Sequence, residues 1–253
     1  MEYKEFYKWV HLKLGVNLEG YKQGQLRRRI DNLMKRLEIK SLKEFTEVME
    51  RDITYRNKFL DFITINVTEF FRNPELYKNL EKSINTNFPN KKEKLKVWSA
   101  ACSLGCEPYS VAMLLKENGY NNFKIVGTDI DTNILQVAKE GIYTKNELKS
   151  IPLMYKKYFE EKNGQFYLSE DIKKYVTFKK SDLILDKYDN NFHIVLCRNV
   201  VIYFNNEIKK SIYEKITDSL NKGGLFFVGA TESIYNFKEF GYEKESTFIY
   251  KKI

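Results

Sequence analysis

The 253 residues predict an α/β protein: a small helical domain, then a doubly wound parallel sheet interrupted by a short insertion. Three observations lead there. Up to about residue 75, apolar residues recur at helical spacing. From about residue 95, short apolar runs alternate with helical segments, the pattern of βαβ units. Between Gly141 and Ser181 that alternation stops in a stretch rich in Tyr, Lys and Phe, with a hairpin turn expected at Lys162-Asn163-Gly164. The expected boundaries are 1–75 for the helical domain with its linker and 76–253 for the α/β domain, with the insertion at about 142–180.

Within the helical part, Ile30, Leu33, Met34 and Leu37 form an apolar stripe over Gln25 to Ile39. Arg27, Arg28, Arg29, Lys35 and Arg36 surround that stripe and predict a cationic outer surface. From Lys22 to Arg36 there are six basic residues and one acid, denser than solubility requires, so a dock for an acidic partner is expected rather than a merely solvated face. In the α/β part the expected strands are Leu95 to Ser99, Phe123 to Thr128, Tyr175 to Phe178, Phe192 to Cys197, Leu225 to Gly229 and Thr247 to Tyr250. The helices between them are Ser110 to Asn118, Thr132 to Glu140 capped by Asp131, and one capped by Asn206 with Ile208, Ile212, Ile216 and Leu220 on one face. Gly223-Gly224 is expected to end that last helix and turn the chain into the next strand.

Composition narrows the function classes. A hydrophobic content of 43% supports a real core, and no apolar run approaches the ~18 residues of a membrane span. The amphipathic, charged start Met1 to Phe6 has no signal-peptide pattern, so a cytoplasmic protein is expected. Cys102, Cys106 and Cys197 are too few and too oddly numbered for a disulfide framework and read as small buried thiols. With His11 and His193 the only histidines, no metal site is expected, and His193 inside Phe192 to Leu196 reads as a hydrogen-bonded core residue. The net charge of +9 points to an acidic partner, leaving nucleic acid, membrane headgroups and an acidic protein surface open.

Ligands of a doubly wound sheet bind at the carboxyl ends of its strands. After the first strand comes Ser99-Ala100-Ala101-Cys102-Ser103-Leu104-Gly105-Cys106-Glu107, small residues that let a ligand approach the backbone. It lacks the GxGxxG of a pyrophosphate loop, and Glu107 suits a cationic amino-acid-bearing ligand better. After the second strand, Asp129 can accept both hydroxyls of a ribose, or can simply close a turn. After the third and fourth come Asp182-Leu183, which can serve an adenine amine and its apolar face or a routine turn, and Arg198 to Phe204. Ile65 to Asn73 combines Asn66, Thr68, two phenylalanines and Arg72. Domain packing explains the phenylalanines but not Thr68 and Arg72.

Together NVTEFFR (Asn66 to Arg72), WSAACSLGCEPYS (Trp98 to Ser110), GTDIDTNIL (Gly127 to Leu135), GIY (Gly141 to Tyr143) and CRNVVIYF (Cys197 to Phe204) resemble the chemotaxis receptor methyltransferase (CheR) family, in order and over nearly the whole chain. The resemblance implies a class I methyltransferase sheet with a small inserted antiparallel β-subdomain, preceded by a small all-α domain. It implies S-adenosylmethionine as cofactor, S-adenosylhomocysteine as product and no metal. By matching positions, Asn66, Thr68, Arg72, Glu107, Asp129, Asp182, Leu183, Arg198 and Asn199 should line the cofactor site. Glu107 would face the methionine portion, Asp129 the ribose, and Asp182 and Leu183 the adenine. Arg72 and Tyr203 match the residues that place the substrate glutamate. The chain departs from relatives at Leu104, where a smaller polar residue is common, and at Asp182, where some carry asparagine. The insertion is short around Glu160 to Ser169, so the enzyme should act without gripping a receptor's C-terminal peptide tether.

The implied reaction is methyl esterification of glutamates on receptor cytoplasmic helices, by a monomer that neither binds nucleic acid nor enters the membrane. Two rivals use the same cofactor. A nucleic-acid methyltransferase would show an NPPY-like or Pro-Cys signature where Arg198-Asn199-Val200-Val201 stands. A module that only senses S-adenosylmethionine would have no use for Arg72 and Tyr203.

Overall fold

The computed structural model describes residues 1–64 and 68–253. The chain divides into two compact units, Met1–Asn66 with Tyr203–Ser211, and Val67–Ile202 with Ile212–Ile253.

The smaller unit rests on four helices, α1 (Tyr3–Leu14), α2 (Gln23–Arg36), α3 (Leu42–Arg51) and α4 (Ile53–Thr64). Their starts have local causes. Glu2 and Glu5 form a capping box on α1, the Ser41 hydroxyl accepts from Glu44 N–H (3.1 Å) at α3, and Asp52 accepts from Thr54 N–H (2.8 Å) at α4. α2 buries Ile30, Leu33 and Met34 of the expected stripe and Leu26 in addition, while Leu37 falls one position past the helix end. Phe6, Phe45 and Phe59 are fully buried and meet with centroids 5.7 to 6.0 Å apart. Each such ring stabilises the fold by about 1.5–3 kcal/mol.

The larger unit runs α5 (Pro74–Asn87), β1 (Leu95–Ala100), α6 (Cys106–Glu117), β2 (Phe123–Asp129), α7 (Thr132–Glu140) and β3 (Ile142–Tyr143). Then come β4 (Phe159–Lys162), β5 (Gln165–Leu168), α8 (Glu170–Lys173), β6 (Val176–Lys180), β7 (Phe192–Cys197), α9 (Asn206–Ser219), whose residues up to Ser211 count with the smaller unit, β8 (Leu220–Val228), β9 (Tyr242–Ser246) and β10 (Ile249–Lys252). Seven strands form one sheet in the order β6-β2-β1-β7-β8-β10-β9. The first five are parallel, and β10 and β9 close the far edge antiparallel. Strand order reverses between β1 and β7, where a doubly wound sheet opens to ligands at its carboxyl edge. The insertion is a separate antiparallel sheet, β3-β5-β4. Its β4–β5 hairpin turns at Asn163 and Gly164 with φ of 51° and 75°, the two-residue turn the sequence signals.

Asp131 caps α7 by accepting from Asn133 and Ile134 N–H (2.9 and 3.2 Å), and left-handed Gly141 ends it, both as expected. Four expectations shift. α6 starts at Cys106 rather than Ser110. The cap on α9 is Asn205, whose Oδ1 accepts from Ile208 N–H (2.9 Å), one residue before Asn206. β8 begins at Leu220, ahead of Gly223-Gly224, because those glycines form a bulge inside the strand: Phe192 faces Leu220 while Ile194 faces Leu225. The last hairpin contains β9, which the sequence reading passes over, and β10 lies two residues later than expected.

Candidate active site

The carboxyl end of β1 turns into α6 through a loop with three left-handed residues, Ala101, Ser103 and Gly105 (φ of 56°, 49° and 79°). Gly105 is needed there, since a Cβ would come within 2.9 Å of the Phe178 ring as well as being strained by φ. α6 is buried from Cys106 to Leu115 except at Glu107, so Glu107 is the one acid in a mostly apolar buried stretch. Glu107 accepts from the Ser99 hydroxyl (2.8 Å) and pairs with Arg198 (3.4 Å). Burial pushes its carboxyl above the ordinary value, and Arg198 and Ser99 pull it part of the way back.

Asp129, at the end of β2, is 6% exposed. It accepts from Ser103 N–H (2.9 Å) and Asp131 N–H (3.1 Å), which ties the β1 loop to the end of β2. Burial raises its carboxyl as well, against those amide bonds. The Ile130 amide is a further donor, and the carboxylate still has acceptor capacity for a ligand hydroxyl.

Asp182 follows β6 in a turn. Its Oδ1 accepts from Ile184 N–H (2.7 Å) and Leu185 N–H (3.3 Å). Its Oδ2 is buried without a hydrogen-bond partner among the described residues. A buried carboxylate oxygen left bare costs about 1–3 kcal/mol or more, so this atom suits a ligand donor. Leu183 beside it is buried and offers an apolar wall.

Arg198, after β7, is a clamp. Its guanidinium donates to the Arg72 carbonyl (2.9 Å) and to Asn73 Oδ1 (3.3 Å), holds Glu107, and lies over the Tyr77 and Phe227 rings. It thereby binds the segment around Arg72 to the sheet edge. Phe70 and Phe71 anchor that segment from the other side: Phe71 stacks on Tyr155 (4.3 Å) and its N–H donates to Ser110 (2.9 Å), while Phe70 N–H donates to Glu147 O (2.8 Å). Phe71 and Asn73, on either side of Arg72, are left-handed, as is Asn199. Non-glycine residues in that region gather where structure holds them against their preference, often at sites of function. Thr68 hydrogen-bonds the Cys106 thiol. Asn66 lies outside the described residues.

Tyr203 belongs to the smaller unit. Its carbonyl accepts from Lys22 N–H (2.9 Å), and it lines a small pocket with Tyr21, Gln25, Leu26, Arg29 and Ile63. Of the basic residues on α2, Arg27, Arg28, Lys35 and Arg36 are exposed, but Arg29 is half-buried. Arg29 donates to the Phe62 carbonyl, lies over the Phe62 ring and faces the Tyr203 and Tyr21 phenols. The expected outer cationic surface therefore includes Arg29 only in part.

The remaining candidates are structural. His193 Nδ1 accepts from Lys96 N–H (3.0 Å), the hydrogen bond expected, although the ring is half-buried rather than in the core, and all three cysteines are free and buried. Among the described residues no His, Cys, Asp or Glu group could hold a metal, and no helix is long and apolar enough to cross a membrane. The sequence reading missed Glu232, which is 2% exposed. Its signal was an acid four residues past the end of an apolar strand, in Gly229-Ala230-Thr231-Glu232.

Residues 66–249 match the CheR methyltransferase SAM binding domain, and residues 1–64 match the CheR methyltransferase all-alpha domain. The chain belongs to the CheR methyltransferase family. Among CheR relatives, the chemotaxis protein methyltransferase of Listeria innocua is 34% identical, covering 99% of this chain and 97% of its own. That of Borreliella burgdorferi is 31% identical over 98% and 93%, and chemotaxis protein methyltransferase 1 of Vibrio cholerae 30% over 92% and 89%. The chain is thus an S-adenosylmethionine-dependent methyltransferase, and the acids at its sheet edge fit that molecule: a bare buried acceptor beside an apolar wall, an acid with acceptor capacity for hydroxyls, and a shielded carboxylate for a cation.

Proposed function

We propose that this enzyme esterifies glutamate side chains of methyl-accepting chemotaxis receptors. The observation that carries the cofactor half is the bare, buried Asp182 Oδ2 beside Leu183, the chemistry an adenine amine and ring require. Asp129 takes the ribose hydroxyls and Glu107 the cationic amino end, with Thr68, Arg72, Arg198, Asn199 and Asn66 completing the lining. The likeness to chemotaxis protein methyltransferases supports the receptor half.

S-adenosylmethionine supplies a methyl group on a cationic sulfonium. The acceptor glutamate has an ordinary pKa of ~4.3 and is ionised at neutral pH, so no residue of the chain needs to remove a proton. The work left to the protein is orientation and exclusion of water. Arg72 and Tyr203 hold the acceptor carboxylate by hydrogen bonds. Only the part of that hold that strengthens toward the transition state speeds the reaction. Glutamate-bearing receptor helices are acidic, and Arg27, Arg28, Arg29, Lys35 and Arg36 form the dock for them. The enzyme acts as a cytoplasmic monomer, and with its short hairpin it does not depend on a receptor's C-terminal pentapeptide.

The test mixes the purified protein with radiolabelled S-adenosylmethionine and chemoreceptor-containing membranes. Label that mild alkali releases as methanol establishes a carboxyl methyl ester. Cofactor binding without label, or label only in added RNA, refutes the proposal.

A further inference from the structure

Glu232 has no part in the chemistry above, yet it is buried at the same sheet edge. Its Oε2 accepts from Asn199 N–H (2.5 Å) and Gly229 N–H (2.9 Å), and its Oε1 from Val200 N–H (3.0 Å). The Ile202 amide is a further donor. β7 ends at Cys197, so the amides of Asn199, Val200 and Ile202 have left the sheet ladder. Without this carboxylate they would lose their acceptor in a partly buried loop.

We propose that Glu232 is a positioning residue for methyl transfer: it holds the backbone leaving β7 in the single arrangement that presents Arg198 and Asn199 to the site. The proposal rests on the receptor-methylation reading above. The packing around the carboxylate leaves no slack. A Cβ on Gly229 would lie 2.3 Å from Glu232 Oε2 and 2.9 Å from the Asn199 nitrogen. Asn199 is held at φ 59°, in the left-handed region that asparagine tolerates better than most residues, and its N–H is aimed at the carboxylate. Beyond the loop, Ile234 N–H donates to the Tyr250 hydroxyl (2.9 Å), so the chain that carries Glu232 is itself pinned to β10. Glu232 thus joins the ends of β7 and β8 by hydrogen bonds to backbone alone, and its geometry is passed to the side chains that flank them.

Glu232→Gln keeps the shape but turns an amide donor toward N–H groups that need an acceptor. A misplacement of about 1 Å at a reacting centre costs roughly a hundredfold in rate, so kcat should fall by about tenfold to a hundredfold in the alkali-labile methylation assay. Thr217→Val is the control: it removes the hydrogen bonds to Tyr213 O and the Tyr242 hydroxyl, far along the chain from Arg198. Both are assayed well below their melting temperatures. A loss of kcat confined to the Glu232 variant, and larger than any rise in KM for S-adenosylmethionine, supports positioning. Unchanged kcat in Glu232→Gln, or an equal loss in Thr217→Val, overturns it. If Glu232→Gln does not fold, Glu232→Asp, which withdraws the charge by one methylene, carries the same comparison. Wild-type protein that methylates no receptor instead fails the underlying reading, and the two failures are told apart by that arm.

Discussion

Asp182 uses one carboxylate oxygen to close its own turn, accepting from the Ile184 and Leu185 amides, and leaves the other buried without a partner among the described residues. If that oxygen awaits an adenine amine, wild-type protein should prefer S-adenosylhomocysteine over its inosyl analogue, which has lost the amine. Asp182→Ala should bind both alike, at about tenfold or more below the wild-type affinity for the adenosyl form. Calorimetry decides it, and equal wild-type affinities would remove Asp182 from adenine recognition. Arg72 makes a second case at this scale. Its backbone is fixed by Arg198 and by the buried Phe71, so Arg72→Ala should leave the fold intact while lowering methyl transfer about a hundredfold, the typical loss for one preorganised donor. Near-normal turnover would take Arg72 out of the mechanism. Tyr203→Phe, which preserves the ring's packing, should lose less.

At the scale of elements, the sequence was most legible where periodicity and capping agree, and least where charge hid the pattern. α7 could be read to its last residue because Asp131 and Gly141 mark its ends chemically. β9 could not, because Tyr-Glu-Lys-Glu-Ser is an edge strand whose charges guard its open side. β8 was read as starting five residues late because a glycine pair looks the same as a breaker or as a bulge until the neighbouring strand is known. α2 was legible as cationic, but not which arginines face outward. Arg28→Glu with Arg36→Glu should raise the KM for receptor and flatten its dependence on salt, since exposed charges act through a screened field. Unchanged kinetics across salt would leave this helix a solvated face. Arg29→Glu should differ in kind: placing an acid against the Phe62 carbonyl and ring costs stability, visible as a lower melting temperature than Arg28→Glu shows.

Across the whole molecule, the loops that follow β1, β2, β6 and β7 gather at one edge of the sheet, which is why candidate residues for a ligand site could be proposed from their places in the sequence. What could not be named was the support: Ser99 acts on Glu107 across the loop between β1 and α6, and the Arg198 clamp and the Glu232 strut act through contacts between residues dozens of positions apart. The support also carries a cost. Glu107, Asp129 and Glu232 all have carboxyls raised by burial. Such a group binds its proton more tightly folded than unfolded, so its contribution to stability is greatest at low pH. That contribution is lost as pH rises from the ordinary values, 4.5 for Glu107 and Glu232 and 3.8 for Asp129, through the raised ones. As pH rises, the free protein therefore has to ionise carboxylates that burial disfavours. A ligand whose cationic amino end meets Glu107 offsets part of this, and only when Glu107 is ionised. The rise in melting temperature caused by saturating S-adenosylhomocysteine should accordingly be a few degrees larger at about pH 7.5 than at about pH 5, and Glu107→Gln should abolish the difference. Comparing with and without ligand at each pH removes the general effect of the +9 net charge. A ligand shift independent of pH in the wild type would mean that Glu107 serves the Arg198 clamp and does not meet the ligand.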